Sequence, residues 1–141
     1  MTKTENYNLP QWEKTDRVLM EDFNAAMVRI DTEIAAGSRI VAGYYEGTGT
    51  ASKTIVLGSK PYAVFFCTSQ GAVYASGTCQ GGLILRDRPL TTRPDVSPVT
   101  AAAEITDDGF RVYQYNDYLY PSNQLIYCNL DGEIYHYIAF L

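Results

Sequence analysis

Met20, Phe23, Met27, Ile30 and Ile34 follow one another at intervals of three, four, three and four, which draws a single apolar seam along one side of a helix. The remaining surface of that segment is polar, carrying Arg17, Glu21, Asp22, Arg29, Asp31 and Glu33. Thr15 or Asp16 can supply the capping oxygen and Gly37 the stop, so the spacing predicts a helix of about 20 residues, roughly 30 Å long. Arg17 with Glu21, and Arg29 with Glu33, are spaced to pair along its exposed side. A seam with a 3.5-residue period favours self-association, since a helix lying on a globular core shows a broader stripe. The segment 16–37 therefore reads as a short parallel oligomerisation stalk; the alternative is an amphipathic helix covering its own domain. At little more than two heptads the seam needs support from the domain behind it.

Beyond Gly37 the period changes to two, and Gly, Ser, Thr, Tyr and Val become frequent. Arg39 to Glu46 reads as a strand, Gly47 to Ser52 as a turn and Lys53 to Leu57 as its return partner. Pro61 to Thr68 is the most apolar run and predicts a central strand. Ala72 to Ser76 and Leu83 to Arg86 are shorter candidates, and the prolines at 89, 94 and 98 place a loop over Asp87 to Pro98. Ala101 to Thr106, the turn Asp107-Asp108-Gly109 and Phe110 to Tyr115 form the clearest hairpin. Asn116 to Gln124 reads as a Tyr-rich loop, Leu125 to Asn129 as a strand, Asp131-Gly132 as a turn and Glu133 to Leu141 as the last strand. Short strands without helices between them predict an antiparallel sandwich or barrel over 38–141 and exclude a doubly wound nucleotide-binding sheet.

Ahead of the helix, residues 1–15 show no periodicity, and Pro10 excludes a central strand, so an extended arm is expected. Leu9 and Trp12 are its candidate docking anchors; the alternative packs Trp12 beside the start of the helix. A net charge of −5 argues against nucleic acid or an anionic membrane as partner. The only basic cluster, Arg86, Arg88 and Arg93, is interrupted by Asp87 and Asp95. The chain shows neither a signal-like apolar run nor a stretch long enough to cross a bilayer, and synthesis in the cytoplasm is expected.

Catalytic chemistry is thinly represented. His136 is the only histidine and falls inside an alternating strand, and Asp107 with Asp108 suits a tight turn better than a carboxylate pair. Cys67, Cys79 and Cys128 match no metal spacing and read as buried thiols, so neither a metal nor a cofactor is expected. Tyrosine stands out instead: there are 12, five of them between Tyr113 and Tyr127, interleaved with Asn and Asp. Flat amphipathic rings beside short adaptable side chains are the mixture found in protein-binding loops and sugar sites. Tyr115, Asn116, Asp117, Tyr118, Tyr120 and Asn123 are accordingly the candidate ligand-binding residues.

NYNLPQWEKTDRVLMEDFNAAMVRIDTEI resembles the attachment segment of tail-fibre and baseplate appendage proteins from phages and prophages of gut Gram-positive bacteria. GYYEGTGTASKTIVLGSKPYAVFF, EITDDGFRVY and DGEIYHYIAFL resemble the distal domains of the same proteins. The last third is also similar to H-type lectins, antiparallel sandwiches that trimerise and bind sugars. Ile105, Gly109, Phe110, Tyr115, Asp117, Tyr137, Ile138 and Ala139 stand at the places that carry the likeness, with tyrosine instead of tryptophan at Tyr115 and Tyr137 and no nearby histidine. The resemblance implies a mainly β, H-type-lectin-like head on a short coiled-coil stalk, trimeric and virion-borne. It also implies an N-terminal arm bound to other tail or baseplate proteins and a cell-surface glycan or protein as ligand. A purely structural trimer, such as an adaptor, tail tip or head fibre, is the second reading and a small cell-wall hydrolase the third.

Overall fold

Glu5, Asn6, Tyr7 and Asn8 turn the chain back on itself: Thr4 donates its backbone N–H to Leu9 O (2.9 Å), and Leu9 N–H donates to Thr4 Oγ1 (2.9 Å). Asn8 takes φ 52°, a left-handed conformation that Asn tolerates better than most residues. The computed structural model describes residues 1–37, 39–92, 100–116 and 125–141 and forms two compact units, Met1–Ser38 and Arg39–Leu141.

In the first unit β1 (Thr2–Lys3) pairs antiparallel with β2 (Pro10–Gln11), and α1 runs from Met20 to Ala36. The expected extended arm is thus a small hairpin, with Pro10 in a two-stranded ribbon where its missing N–H disrupts no ladder. The helix also starts later than its seam suggested. Neither Thr15 nor Asp16 caps it; Leu19 is the N-cap, without a side-chain bond. Asp16 is occupied elsewhere, accepting from Glu13 N–H (2.9 Å) and lying 2.8 Å from the Met1 α-amino group. The hydrogen bond from Glu13, then the one to the amino group, hold its carboxyl below the usual value. Gly37 closes the helix with φ −59° and not in the left-handed region. Neither Arg17–Glu21 nor Arg29–Glu33 forms an ion pair.

The second unit holds eleven strands among the described residues: β3 (Ile40–Glu46), β4 (Ser52–Val56), β5 (Ala63–Thr68), β6 (Tyr74–Ala75), β7 (Thr78–Cys79), β8 (Gly82–Leu85), β9 (Leu90–Thr91), β10 (Ala101–Ile105), β11 (Gly109–Asn116), β12 (Leu125–Tyr127) and β13 (Ile134–Phe140). One sheet has the antiparallel order β3-β13-β5-β8. In the other, β6-β7-β12-β11-β10-β9, the long β11 pairs with β4 along Gly109 to Tyr113 and with β12 along Gln114 to Asn116. The chain is therefore mainly β, antiparallel except where β7 meets β12 in parallel.

β4 does not return beside β3, as a hairpin reading of the Gly-rich turn expected. It crosses to β11 in the other sheet, and Asn129 holds the connection. The amide of Asn129, fully buried, accepts from Thr48 N–H (2.9 Å) and donates to Thr50 O (2.9 Å), and its carbonyl accepts from Gly49 N–H (2.8 Å). Gly109 likewise serves a purpose other than the one its Asp-Asp-Gly context suggested. It lies in β11 without positive φ, and a Cβ there would run into the carbonyl oxygen of Ile55 on β4. Close strand approach, not turn geometry, requires glycine at this position.

Both sheets contribute to one core. Tyr45, Val64, Phe66, Ile84 and Tyr135 from the first meet Ile55, Ala103, Phe110, Val112 and Ile126 from the second. Tyr45 stacks on Tyr135 at 4.9 Å, and Phe110 meets Tyr137 edge-on at 5.2 Å. The two buried tyrosine hydroxyls of the core are satisfied: Tyr45 donates to Cys128 O (2.7 Å), and Tyr135 donates to Tyr127 O (2.6 Å) while accepting from Leu130 N–H.

The opposite face of the four-stranded sheet breaks the usual alternation of apolar-in and polar-out. Its cross-strand rows read Ile40–Phe140–Ala63–Leu85 and Ala42–Ile138–Phe65–Leu83, followed by Tyr44–His136–Cys67. None of these side chains is Asp, Glu, Lys or Arg.

Candidate functional site

β11 runs three residues past the end of β4, at Tyr113, and this overhang carries Gln114, Tyr115 and Asn116 to the edge of the sheet, where β12 meets them. A hollow of about 370 Å³ lies there, lined by Ala51, Thr100, Ala101, Tyr113, Gln114 and Tyr115. Tyr115 is 40 % exposed and Asn116 is exposed. The Tyr113 hydroxyl donates to Glu104 Oε1 at 2.6 Å, and Arg111 approaches the same carboxylate at 3.7 Å. Burial first, and then that hydrogen bond, raise the Tyr113 pKa, so the group acts as a neutral donor and not as a base. The hollow thus combines two aromatic side chains with the amide of Gln114 and the hydroxyl of Thr100, a set that can stack on and hydrogen-bond a polar ligand.

Of the six residues expected to bind ligand, Tyr115 and Asn116 stand at this edge. Asp117, Tyr118, Tyr120 and Asn123 lie outside the described residues. Among the positions that carry the lectin resemblance, Phe110 and Ala139 are buried in the core, and Tyr137 turns inward over β3. A Cβ on Gly43 would strike the Tyr137 ring, so this glycine makes room for the aromatic side chain across the strand pair. Of these positions, Tyr115, at the end of its strand, and Ile138, on the outer face of β13, reach solvent among the described residues.

The helical seam is divided. Met20, Phe23, Met27 and Ile34 are 45–74 % exposed, whereas Ile30 and Ile34 line an apolar groove of about 380 Å³ with Tyr7 and Leu9 of the hairpin turn. Ala26, on the flank next to the seam, is the helix's buried residue. The N-terminal hairpin therefore takes one flank of α1 and leaves most of the seam uncovered. Leu9 is directed to the helix, and Trp12 is half-buried with its indole N–H enclosed and unpartnered.

The remaining reactive groups have structural surroundings. His136 sits on the outer face of β13, its ring 6.2 Å from that of Tyr44. Asp107 pairs with Lys60 at 3.7 Å, and Asp108 accepts from the Thr106 hydroxyl while its carbonyl oxygen receives Leu57 and Gly58 N–H. Arg86 is bound at home, donating to Lys60 O and Pro61 O and lying 3.9 Å over the Tyr62 ring. All three thiols are free, Cys79 and Cys128 buried and Cys67 partly exposed. Hydrogen bonding to Cys79, and then burial, push the Cys128 thiol well above the ordinary range. Among the described residues no three His, Cys, Asp or Glu side chains converge as metal ligands would. The residue that sequence reasoning missed is Asn129: one asparagine after a strand gives no sign that it anchors a turn eighty residues earlier.

Comparison with protein-family models, curated proteins and solved structures finds no match to this chain.

Proposed function

We propose that this chain is a homo-oligomeric appendage of a virion or phage-tail-like particle, with a β domain that recognises a bacterial cell-surface glycan or protein. The observation that carries the reading is the helix: its hairpin packs on one flank, and Met20, Phe23 and Met27 stay exposed in a row suited to copies of itself. The resemblance of the N-terminal segment to tail-fibre attachment sequences supplies the setting, and similarity to the trimeric H-type lectins supplies the expected number, three. On this reading α1 is a short coiled-coil stalk, the two-sheet unit is a lectin-like sandwich, and the Leu9–Trp12 region faces other tail or baseplate proteins. The ligand meets Tyr115 and Asn116 together with Asp117, Tyr118, Tyr120 and Asn123.

The test has two arms. Light scattering at micromolar concentration should give three chain masses for the wild type and one for the Phe23→Asp, Ile30→Asp double variant, whose charge at the exposed position 23 would face its copies in an apolar seam. A monomeric wild type refutes the stalk. Binding of purified trimer to cell-wall glycans or whole cells should be lost on Tyr115→Ala, Asn116→Ala with mass unchanged; adsorption that survives moves recognition elsewhere. A purely structural trimer is the second reading, favoured by the uncharged outer face of the four-stranded sheet, which offers extensive apolar surface and few groups that could specify a ligand.

A further inference from the structure

A sheet with one solvated face normally places polar side chains there; in the β3-β13-β5-β8 sheet that face is apolar in both central rows. Ile40, Tyr44, Phe65, Leu83, Ile138 and Phe140 alone are 40–68 % exposed. Together they present roughly 700 Å² of accessible surface, more than the 300–600 Å² of the largest patch on a typical monomer and close to the 800 Å² each partner contributes to a standard interface.

We infer that this face is a second oligomer interface, through which copies of the chain meet. Three features select another copy over an unrelated partner. The central rows carry no charge, as in permanent homo-oligomeric interfaces, whereas transient partners meet on surfaces about as polar as the rest of the protein. The rows also mix small and large side chains, Ala42 beside Ile138 and Ala63 beside Phe140, so a second copy of the same face has space over the alanines for its larger side chains. The helical seam, finally, is little more than two heptads and requires support from the domain behind it, which this face provides. The inference rests on the oligomeric reading of the helix but places much of the association energy in the sheet.

Cys67 supplies a native probe, because it lies on this face opposite His136 and is partly exposed, while Cys79 and Cys128 are buried. In the full-length protein its reaction with a chromogenic disulfide reagent should slow at least about tenfold between nanomolar and micromolar chain concentration. Phe65→Thr, Ile138→Thr keeps strand-forming side chains, so it should fold while raising the dissociation constant about thirtyfold or more and exposing Cys67 at all concentrations. Protection that does not depend on concentration would overturn the inference, since the chain's own helix would then be the cover. Cys67 reacting equally fast in oligomeric wild type and in the threonine variant would also overturn it. If that variant keeps the wild-type mass while Phe23→Asp, Ile30→Asp becomes monomeric, the sheet interface fails and the stalk survives; a monomeric wild type refutes both.

Discussion

Replacing Asn129 by Ala tests whether a single buried amide steers the chain from one sheet to the other. The substitution removes the acceptor of Thr48 N–H at 2.9 Å and the donors to Thr50 O at 2.9 Å and Thr48 Oγ1 at 3.0 Å, in a side chain with no exposed surface. Thr48 and Thr50 are themselves exposed, so water can recover part of what they lose, and each lost bond counts nearer about 1 kcal/mol than the full penalty of a buried orphan. With the void left behind, the total is about 2–4 kcal/mol. For a unit of this size that lowers the melting temperature by roughly 10–25 °C. Urea unfolding followed by far-ultraviolet circular dichroism measures the free energy directly. Asn129→Asp adds a sign: an ionised carboxylate accepts from Thr48 but cannot donate to Thr50, and burial raises its pKa in the folded state. Its deficit relative to wild type should therefore be small below about pH 3, where the acid is protonated in both states, and should grow as pH rises through the unfolded value near 4. A loss below about 1 kcal/mol in the alanine variant, or an aspartate deficit independent of pH, would show that the turn holds itself and that Asn129 does not direct the crossing.

Gly109→Ala should cost more than about 3 kcal/mol, because the new methyl must displace the β4 backbone at Ile55; a variant that melts like wild type would sink the close-approach reading. Burial pushes the Tyr135 hydroxyl up to about 12, so its contribution to stability is present below the ordinary tyrosine value near 10 and is lost as pH rises from there through 12. Alkaline denaturation should track this loss, and Tyr135→Phe, which removes that titration along with the bond to Tyr127 O, should make the profile between pH 10 and 12 less steep, leaving the slope due to the buried hydroxyl of Tyr45, which is also pushed up. Asp16→Asn should leave helicity by circular dichroism unchanged, since the carboxylate binds Glu13 and the amino terminus and does not cap α1; a helicity drop would restore it as the cap.

Periodicity located the elements well wherever each residue's environment repeats along the chain. The helical seam, the strand Pro61–Thr68, the hairpin around Asp107-Asp108 and the final strand were all legible, because alternation of two or three-to-four reports which face is buried. Composition alone singled out the Tyr-rich segment as a recognition candidate; of its residues, Tyr115 and Asn116 are described and exposed, and Tyr115 lines a hollow. What periodicity cannot carry is the choice of partner. The turn Gly47–Ser52 looked like a hairpin because its residues favour turning, but β4 pairs with β11, and the turn is bonded to Asn129, which is distant in sequence and near only once the fold has formed. Asp16 had the right chemistry for a cap, and a competing amino group at 2.8 Å took it. The apolar outer face escaped notice for a related reason: along β13 both faces are apolar, so a run such as Ile138-Ala139-Phe140 signals burial without saying on which side. Local sequence determines what each segment can be, through backbone preference and side-chain period, while the packing of one sheet on the other decides which of those faces is left without a partner.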